Sequence, residues 1–397
     1  MLVDSPGQLP INGFSSDKEA DCVTGIDGAV TGSTVQVDTV SKFYGSMPAV
    51  DAISLDIGAG EFVSLLGPSG SGKTTLLMMI AGFERPDAGR ILIGQRDFTH
   101  VAPNKRGVGM VFQKYALFPH MTIADNIAFP LKMRKISREV IAARVDAALS
   151  LVRLEGYGER QPGQLSGGQQ QRIAVARALV FEPPVLLMDE PLGALDKKLR
   201  EQMQIEIKAI QERLGVTVVY VTHDQEEALT MSDRVAVMNK GRLEQIGTPI
   251  DLYQAPQSPF VADFIGKMNF IDGEYLGRDG SGLRVRLSAD ATLRVPHAPN
   301  GSAADLADNS PVRIAVRPER LQLAPPGEGG PEAMAGRIDA AIFVGSFRIY
   351  LVAIDGRDAE PLHIQVPAAG APSYARGDAV DVVMEHDAVR LFQMTAA

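Results

Sequence analysis

The sequence predicts an α/β fold in which a parallel sheet carries a phosphate-binding loop, followed by an all-β C-terminal part. Three observations predict it. "EFVSLLGPSGSGKTT" (61–75) runs from a short apolar strand through a glycine-rich loop into a helix, the context that the G-x-x-x-x-G-K-[ST] phosphate loop requires. "VLLMDE" (185–190) and "VTVVYVTH" (216–223) flank a helical stripe, and uninterrupted apolar strands of this kind belong in a sheet covered on both faces. Beyond about residue 270, helical periodicity gives way to short β-rich runs separated by Gly, Pro and Asp.

Composition narrows the function classes. A length of 397 residues suits two or three domains with a buried core. The net charge of -9, with 48 acidic against 39 basic residues, argues against a protein whose main partner is a nucleic-acid backbone. Cys22 is the single cysteine, which leaves no intrachain disulfide and no thiolate cluster, as expected in a reducing cytoplasm. No apolar run approaches the ~18 residues of a membrane span, and the start lacks the basic and apolar regions of a secretory signal. The expectation is an intracellular chain.

Residues 1–34, rich in Gly, Ser and Asp, carry no sustained period and read as a flexible extension. Alternation in "TVQVDTVSKFYG" marks the first strand, and "KTTLLMMIAGF" is the helix after the phosphate loop. In "REVIAARVDAALSLV" the spacing predicts a helix with Val140, Ala143, Val145, Ala148, Leu149 and Val152 near one face. "QQQRIAVARALV" is a further helix, stopped by Glu182-Pro183-Pro184. Leu199, Met203, Ile207, Ile210 and Leu214 recur at helical spacing and end at Gly215. Strand, helix and strand then form a parallel crossover, which binds ligands beyond the carboxyl ends of its strands. Asp189, Glu190 and His223 therefore converge on the edge that holds the phosphate loop.

The chemistry follows from that edge. In the loop of Gly67, Pro68, Ser69, Gly70, Ser71, Gly72, Lys73, Thr74 and Thr75, the backbone N–H groups of residues 70 to 75 are expected to wrap a β-phosphate. Lys73 reaches the β and γ oxygens, and the Thr74 hydroxyl and Asp189 hold Mg²⁺. Glu190 accepts a proton from the attacking water, and His223 contacts the γ-phosphate. An isolated histidine is ordinarily structural, but its place at a strand end favours the site. Gln113, after "GVGMVF", is from spacing alone equally an ordinary loop amide, and Tyr44 beside Gly45 is ordinarily a packing aromatic.

"LSGGQQQR" (165–172) adds a second anion-accepting helix start at Ser166, Gly167, Gly168 and Gln169. A helix N-terminus contributes about 0.3 to 1 kcal/mol to an adjacent anion, occasionally about 2, whereas micromolar binding needs about 8. This segment has no lysine or metal-binding acid of its own. It is expected to close over a triphosphate already held by a phosphate loop, that of a second copy of the chain.

"GPSGSGKTT", Gln113, "LSGGQ", "VLLMDE", "GALD" (193–196) and His223, in this order over roughly residues 35 to 265, resemble the ATP-binding subunits of ABC transporters, a branch of the P-loop NTPase fold with a helical subdomain. The resemblance implies that Tyr44 stacks on adenine, that Gln113 links the metal site to the membrane partner, that Asp196 crosses the dimer interface, and that ATP with Mg²⁺ is the ligand. "GTPIDLYQAPQSPFVADFIGKMNFIDGEYLG" (247–277) is similar to the hinge of importer ATPases with an added β-domain. "LRVRL", "VRIAVRP", "AAIFVGSFRIYLVAIDG", "LHIQVP" and "VDVVM" suit a small barrel, an OB-like regulatory domain over 270–397 behind an ATP-binding domain over 35–269.

The implied partners are a second copy, two membrane permeases and, indirectly, an external solute-binding protein, with the chain peripheral on the cytoplasmic face of the inner membrane. "FVADFIGKMNF", with Asn269 three residues after Gly266, looks like the spermidine/putrescine group and its iron, sulfate and aminoethylphosphonate relatives. A polyamine is the first expectation. A soluble ATPase acting on nucleic acid would instead predict tandem cassettes or a long coiled-coil insertion, which this sequence lacks.

Overall fold

A computed structural model describes residues 32–193, 195–279, 282–287, 292–295, 306–357, 359–370, 372–385 and 388–394. The predicted extension falls outside this set up to residue 31, as does Cys22. Ser33 and Thr34 already belong to the fold: Ser33 N–H donates to Pro184 O (3.2 Å), and Gly94 N–H donates to Thr34 O (2.8 Å). The chain divides into two compact units, one of residues 117–182 and one of 32–116 with 183–397.

The second unit begins with β1 (Val35–Tyr44) and β2 (Met47–Ile57), an antiparallel hairpin, then β3 (Phe62–Leu66) and α1 (Lys73–Ala81). Next come β4 (Ala88–Ile93), β5 (Arg96–Asp97) and β6 (Gly109–Val111). The helical unit holds α2 (Ile123–Met133), α3 (Arg138–Leu151) and α4 (Gly167–Leu179), packed on one another. The buried face of α3 runs through Val145, Ala148 and Leu149 to Leu151 and Val152, with Ile141 half-buried. Ala143, expected on this face, is exposed, because it sits two residues, about 200°, from Val145.

The chain then returns to the second unit as β7 (Val185–Asp189), α5 (Lys197–Leu214), β8 (Thr217–Thr222), α6 (Gln225–Met231), β9 (Arg234–Asn239) and β10 (Arg242–Gly247). The central sheet has the order β10-β9-β3-β8-β7-β6, parallel from β9 to β6. Every residue of β3 and β8 is buried, as a sheet covered on both faces requires. Val63, Leu65, Val185, Leu187, Val219 and Val221 share one core with α1 and with a second sheet of order β2-β1-β4-β5. On α5, Met203, Ile207 and Leu214 are buried and Leu199 and Ile210 half-buried, and Gly215 (φ 66°) caps the helix.

The predicted hinge resolves into α7 (Pro249–Gln254), α8 (Pro259–Phe264) and the start of β11 (Asn269–Asp279); each helix has proline at its start behind a Thr248 or Ser258 cap. Then follow β12 (Gly282–Arg286), β13 (Thr292–Val295), β14 (Pro311–Val316), β15 (Leu321–Ala324), β16 (Met334–Val344), β17 (Phe347–Ile354), β18 (Leu362–Pro367), β19 (Ala379–Met384) and β20 (Arg390–Gln393). They form two five-stranded antiparallel sheets, β13-β12-β11-β14-β20 and β15-β19-β16-β17-β18, around one apolar core. Arg317, buried just after β14, donates to Ala262 O (3.1 Å), Lys267 O (3.2 Å) and Tyr253 O (3.0 Å), and so ties this β-part to α7 and α8.

Candidate nucleotide site

Four parallel strands lie side by side in the order β3-β8-β7-β6, and each delivers a candidate residue from its carboxyl end. β3 leads into the glycine loop, β8 into His223, β7 into Asp189 and Glu190, and β6 into Gln113. That shared end is where open α/β sheets bind ligands. Thr74 Oγ1 donates to Asp189 Oδ1 (3.1 Å), Gln113 Nε2 donates to Glu190 Oε2 (3.1 Å), and His223 Nδ1 lies 3.2 Å from Glu190 Oε1. Residues up to 149 positions apart in sequence, Thr74 and His223 at the extremes, thus form one cluster.

The loop is shaped for an anion. Gly72 has φ 96°, and a β-carbon there would lie 2.2 Å from Ala49 O; at Gly67 it would lie 2.2 Å from Met238 O. Both close approaches pin the loop between β2 and β9. No side chain caps the start of α1, so the first N–H groups of that helix remain available to a ligand. The Ser71 hydroxyl is buried and has no partner among the described residues. Lys73 folds back to donate to Gly67 O (2.8 Å) and Pro68 O (2.9 Å). Burial pushes its ammonium below the ordinary lysine value, against the opposing pull of Glu190 and Asp189. Burial likewise pushes the Asp189 carboxyl up, partly offset by the Thr74 hydrogen bond.

Glu190 has φ 42°, a left-handed conformation that is unusual for a residue with a side chain. Its N–H donates to Val221 O (3.0 Å), which fixes the turn to the end of β8. In the helical unit, Ser166 caps α4: its hydroxyl accepts from Gln169 N–H (3.4 Å), and Gln169 Oε1 accepts from Ser166 N–H (3.0 Å). Gly167 and Gly168 are the first residues of that helix and bring no side chain to its start. Asp196 caps α5 by accepting from Leu199 N–H (3.0 Å). Tyr44 ends β1, 54% exposed, with the Lys42 ammonium 5.7 Å from its ring centre.

Comparison with known proteins bears on this arrangement. An ABC transporter family model matches residues 50–193 and a TOBE domain model matches 314–392. The spermidine/putrescine import ATP-binding protein PotA of Acidothermus cellulolyticus is 51% identical over 323 residues, covering 79% of this chain and 82% of that protein. PotA 2 of Pseudomonas aeruginosa is 45% identical over 365 residues, covering 91% of this chain and 99% of that protein. The chain belongs to the ATP-binding proteins of ABC transporters. Among solved structures, cbiO1 of Clostridium perfringens, part of the ABC transporter complex cbiONQ, is 30% identical with a TM-score of 0.52, covering 55% of this chain and 89% of that one.

As a family member the chain binds and hydrolyses ATP, and the geometry refines what the sequence suggested. Gln113, expected at a metal, turns its amide to Glu190. His223 and Glu190 touch directly, a contact that spacing alone does not reveal. Sequence reasoning missed Arg200, Asp224 and Glu227, which hold the backbone beside His223; the i, i+3 pair of acids in "DQEE" was the available signal. Among the described residues no helix is long and apolar enough to cross a membrane.

Proposed function

We propose that this chain energises import of polyamines, spermidine or putrescine, as one of two identical ATPase subunits under two membrane permeases, peripheral on the cytoplasmic face of the inner membrane. The observation that carries the reading is the 45% identity spread over 99% of a spermidine/putrescine import relative, which takes in the ATPase part and the β-rich C-terminal part alike. The proposed organisation is an N-terminal extension that ends where Ser33 and Thr34 join the fold, an ATP-binding domain over 35–269 and a regulatory OB-like domain over 270–397. A solute-binding protein outside the membrane supplies the polyamine.

The proposed chemistry uses the cluster at the strand ends. The N–H groups of residues 70 to 75 and the Lys73 ammonium hold the β- and γ-phosphates, and Tyr44 stacks on adenine. Glu190 takes a proton as water attacks the γ-phosphorus and the bond to ADP breaks. Gln113 and His223, both in contact with that carboxylate, keep it aimed, and His223 is free to contact the γ-phosphate through its exposed edge. Among the described residues no cluster of three His, Cys, Asp or Glu side chains occurs, but Mg²⁺ needs only one or two protein oxygens beside phosphates and waters. The adjacent Thr74 hydroxyl and Asp189 carboxylate fit it, and bound there Mg²⁺ would neutralise charge on the phosphate oxygens.

The Ser166 cap with two bare glycines behind it supports a role for α4 in contacting the γ-phosphate held by the other copy, with Asp196 at the same interface. Uptake of labelled spermidine and putrescine by cells lacking this gene tests the reading. Uptake should return with the intact chain and not with Lys73→Ala. Loss of ferric iron, sulfate or 2-aminoethylphosphonate uptake with polyamine uptake unchanged would assign a different solute.

A further inference from the structure

We propose that Arg200 is a positioning residue that ties the turn carrying Leu195 and Asp196 to the turn carrying His223, so that the two turns move as one piece. The inference rests on the reading that Glu190 and His223 act in hydrolysis. Arg200 lies one helical turn after the Asp196 cap, and its guanidinium reaches in three directions. Nη2 donates to Leu195 O (3.0 Å), Nη1 donates to Asp224 Oδ2 (2.9 Å), and Nε faces Glu227 Oε1 at 3.7 Å.

The two carboxylates have further duties. Asp224 Oδ1 accepts from the N–H groups of Glu226 (2.8 Å) and Glu227 (3.3 Å) and so starts α6, while the Asp224 N–H donates to Thr222 Oγ1 (2.9 Å). Glu227, 2% exposed, accepts from Tyr220 Oη (2.8 Å) and Thr222 Oγ1 (2.7 Å). Both chain neighbours of His223 are therefore held by a network whose cation also holds the Leu195 carbonyl. The imidazole itself is mostly exposed, so the backbone at 222–224 sets where it points.

Arginine is the residue for this task. Its planar fork serves a carbonyl and a carboxylate at once, whereas a lysine ammonium is a single point charge on a flexible stem. Charge-assisted bonds of this type are about twice as strong as neutral ones, which makes the link stiff. Asp196 is the residue expected to meet the second copy, so the link carries closure at that interface to the histidine of the same chain. Arg200 acts through His223.

Full-length Arg200→Ala, Arg200→Lys, Asp224→Asn and the Arg200→Ala/Asp224→Asn double variant test this, by steady-state hydrolysis and by binding of a fluorescent ATP analogue. The expected result is a fall in kcat of about tenfold for Arg200→Ala with the nucleotide Kd within about twofold of wild type. Arg200→Lys recovers part of the loss, and the double variant is no slower than the slower single one, because both lesions break one link. A kcat within about twofold of wild type, an additive double variant, or a Kd that weakens in step with kcat overturns the proposal. Should Arg200→Ala fail to fold, Arg200→Lys and Asp224→Asn decide by the same split. Full hydrolysis by Glu190→Gln would instead defeat the underlying site reading, whatever Arg200 does.

Discussion

Glu190 bears the most specific demand in the site. A left-handed backbone costs a residue with a β-carbon about 1 to 2 kcal/mol, and here it swings the carboxylate between Gln113 and His223. Glutamine keeps the shape and removes the base. Glu190→Gln is expected to lower hydrolysis by about 10²-fold or more while ATP binding survives, as rapid-quench and equilibrium binding measurements would show. The residue scale also shows what the sequence could not convey. Asn269, the residue whose spacing pointed to the polyamine group, is 4% exposed, and its amide makes a two-way clasp with the His363 backbone, both bonds at 2.7 Å. It joins β11 to β18, one sheet of the C-terminal part to the other. Its association with a solute is thus one of lineage, since the side chain is spent on holding two sheets together.

At the scale of elements, β3, the loop and α1 were legible because three independent constraints agree: an apolar run, glycines where the backbone must turn, and a polar helix start. The loop makes a graded prediction. A β-carbon at Gly72 would strike Ala49 O, in addition to the positive φ of 96°, whereas at Gly70 (φ 79°) nothing lies within 4 Å. Gly72→Ala is therefore expected to abolish ATP binding, measured by calorimetry, and Gly70→Ala to weaken it with the fold intact. Equal loss at both positions would mean that φ alone decides. Less legible were β13, β15 and β20, each of four residues, too short for alternation to stand out. The α3 face was misjudged at Ala143 because alanine suits either side of a helix and carries no directional signal.

At the scale of the whole molecule, each ATP is proposed to be held by the phosphate loop of one copy and the "LSGGQ" helix of the other. The capped start of α4 has no lysine or metal-binding acid of its own, and a helix N-terminus supplies at most about 2 kcal/mol. It gains a function only over a phosphate bound elsewhere, and two copies related by a two-fold axis make both sites complete at once. The most direct measurement mixes two inactive full-length variants, Lys73→Ala and Ser166→Arg, with the permeases present, and follows ATP hydrolysis together with nucleotide-dependent crosslinking of the two copies. In the mixed dimer the intact loop of one variant meets the intact signature of the other, while both lesions fall in the opposite site. Recovery of hydrolysis or of closure in mixtures shown to contain heterodimers is the predicted result. Absence of both in those same mixtures would contradict the shared site.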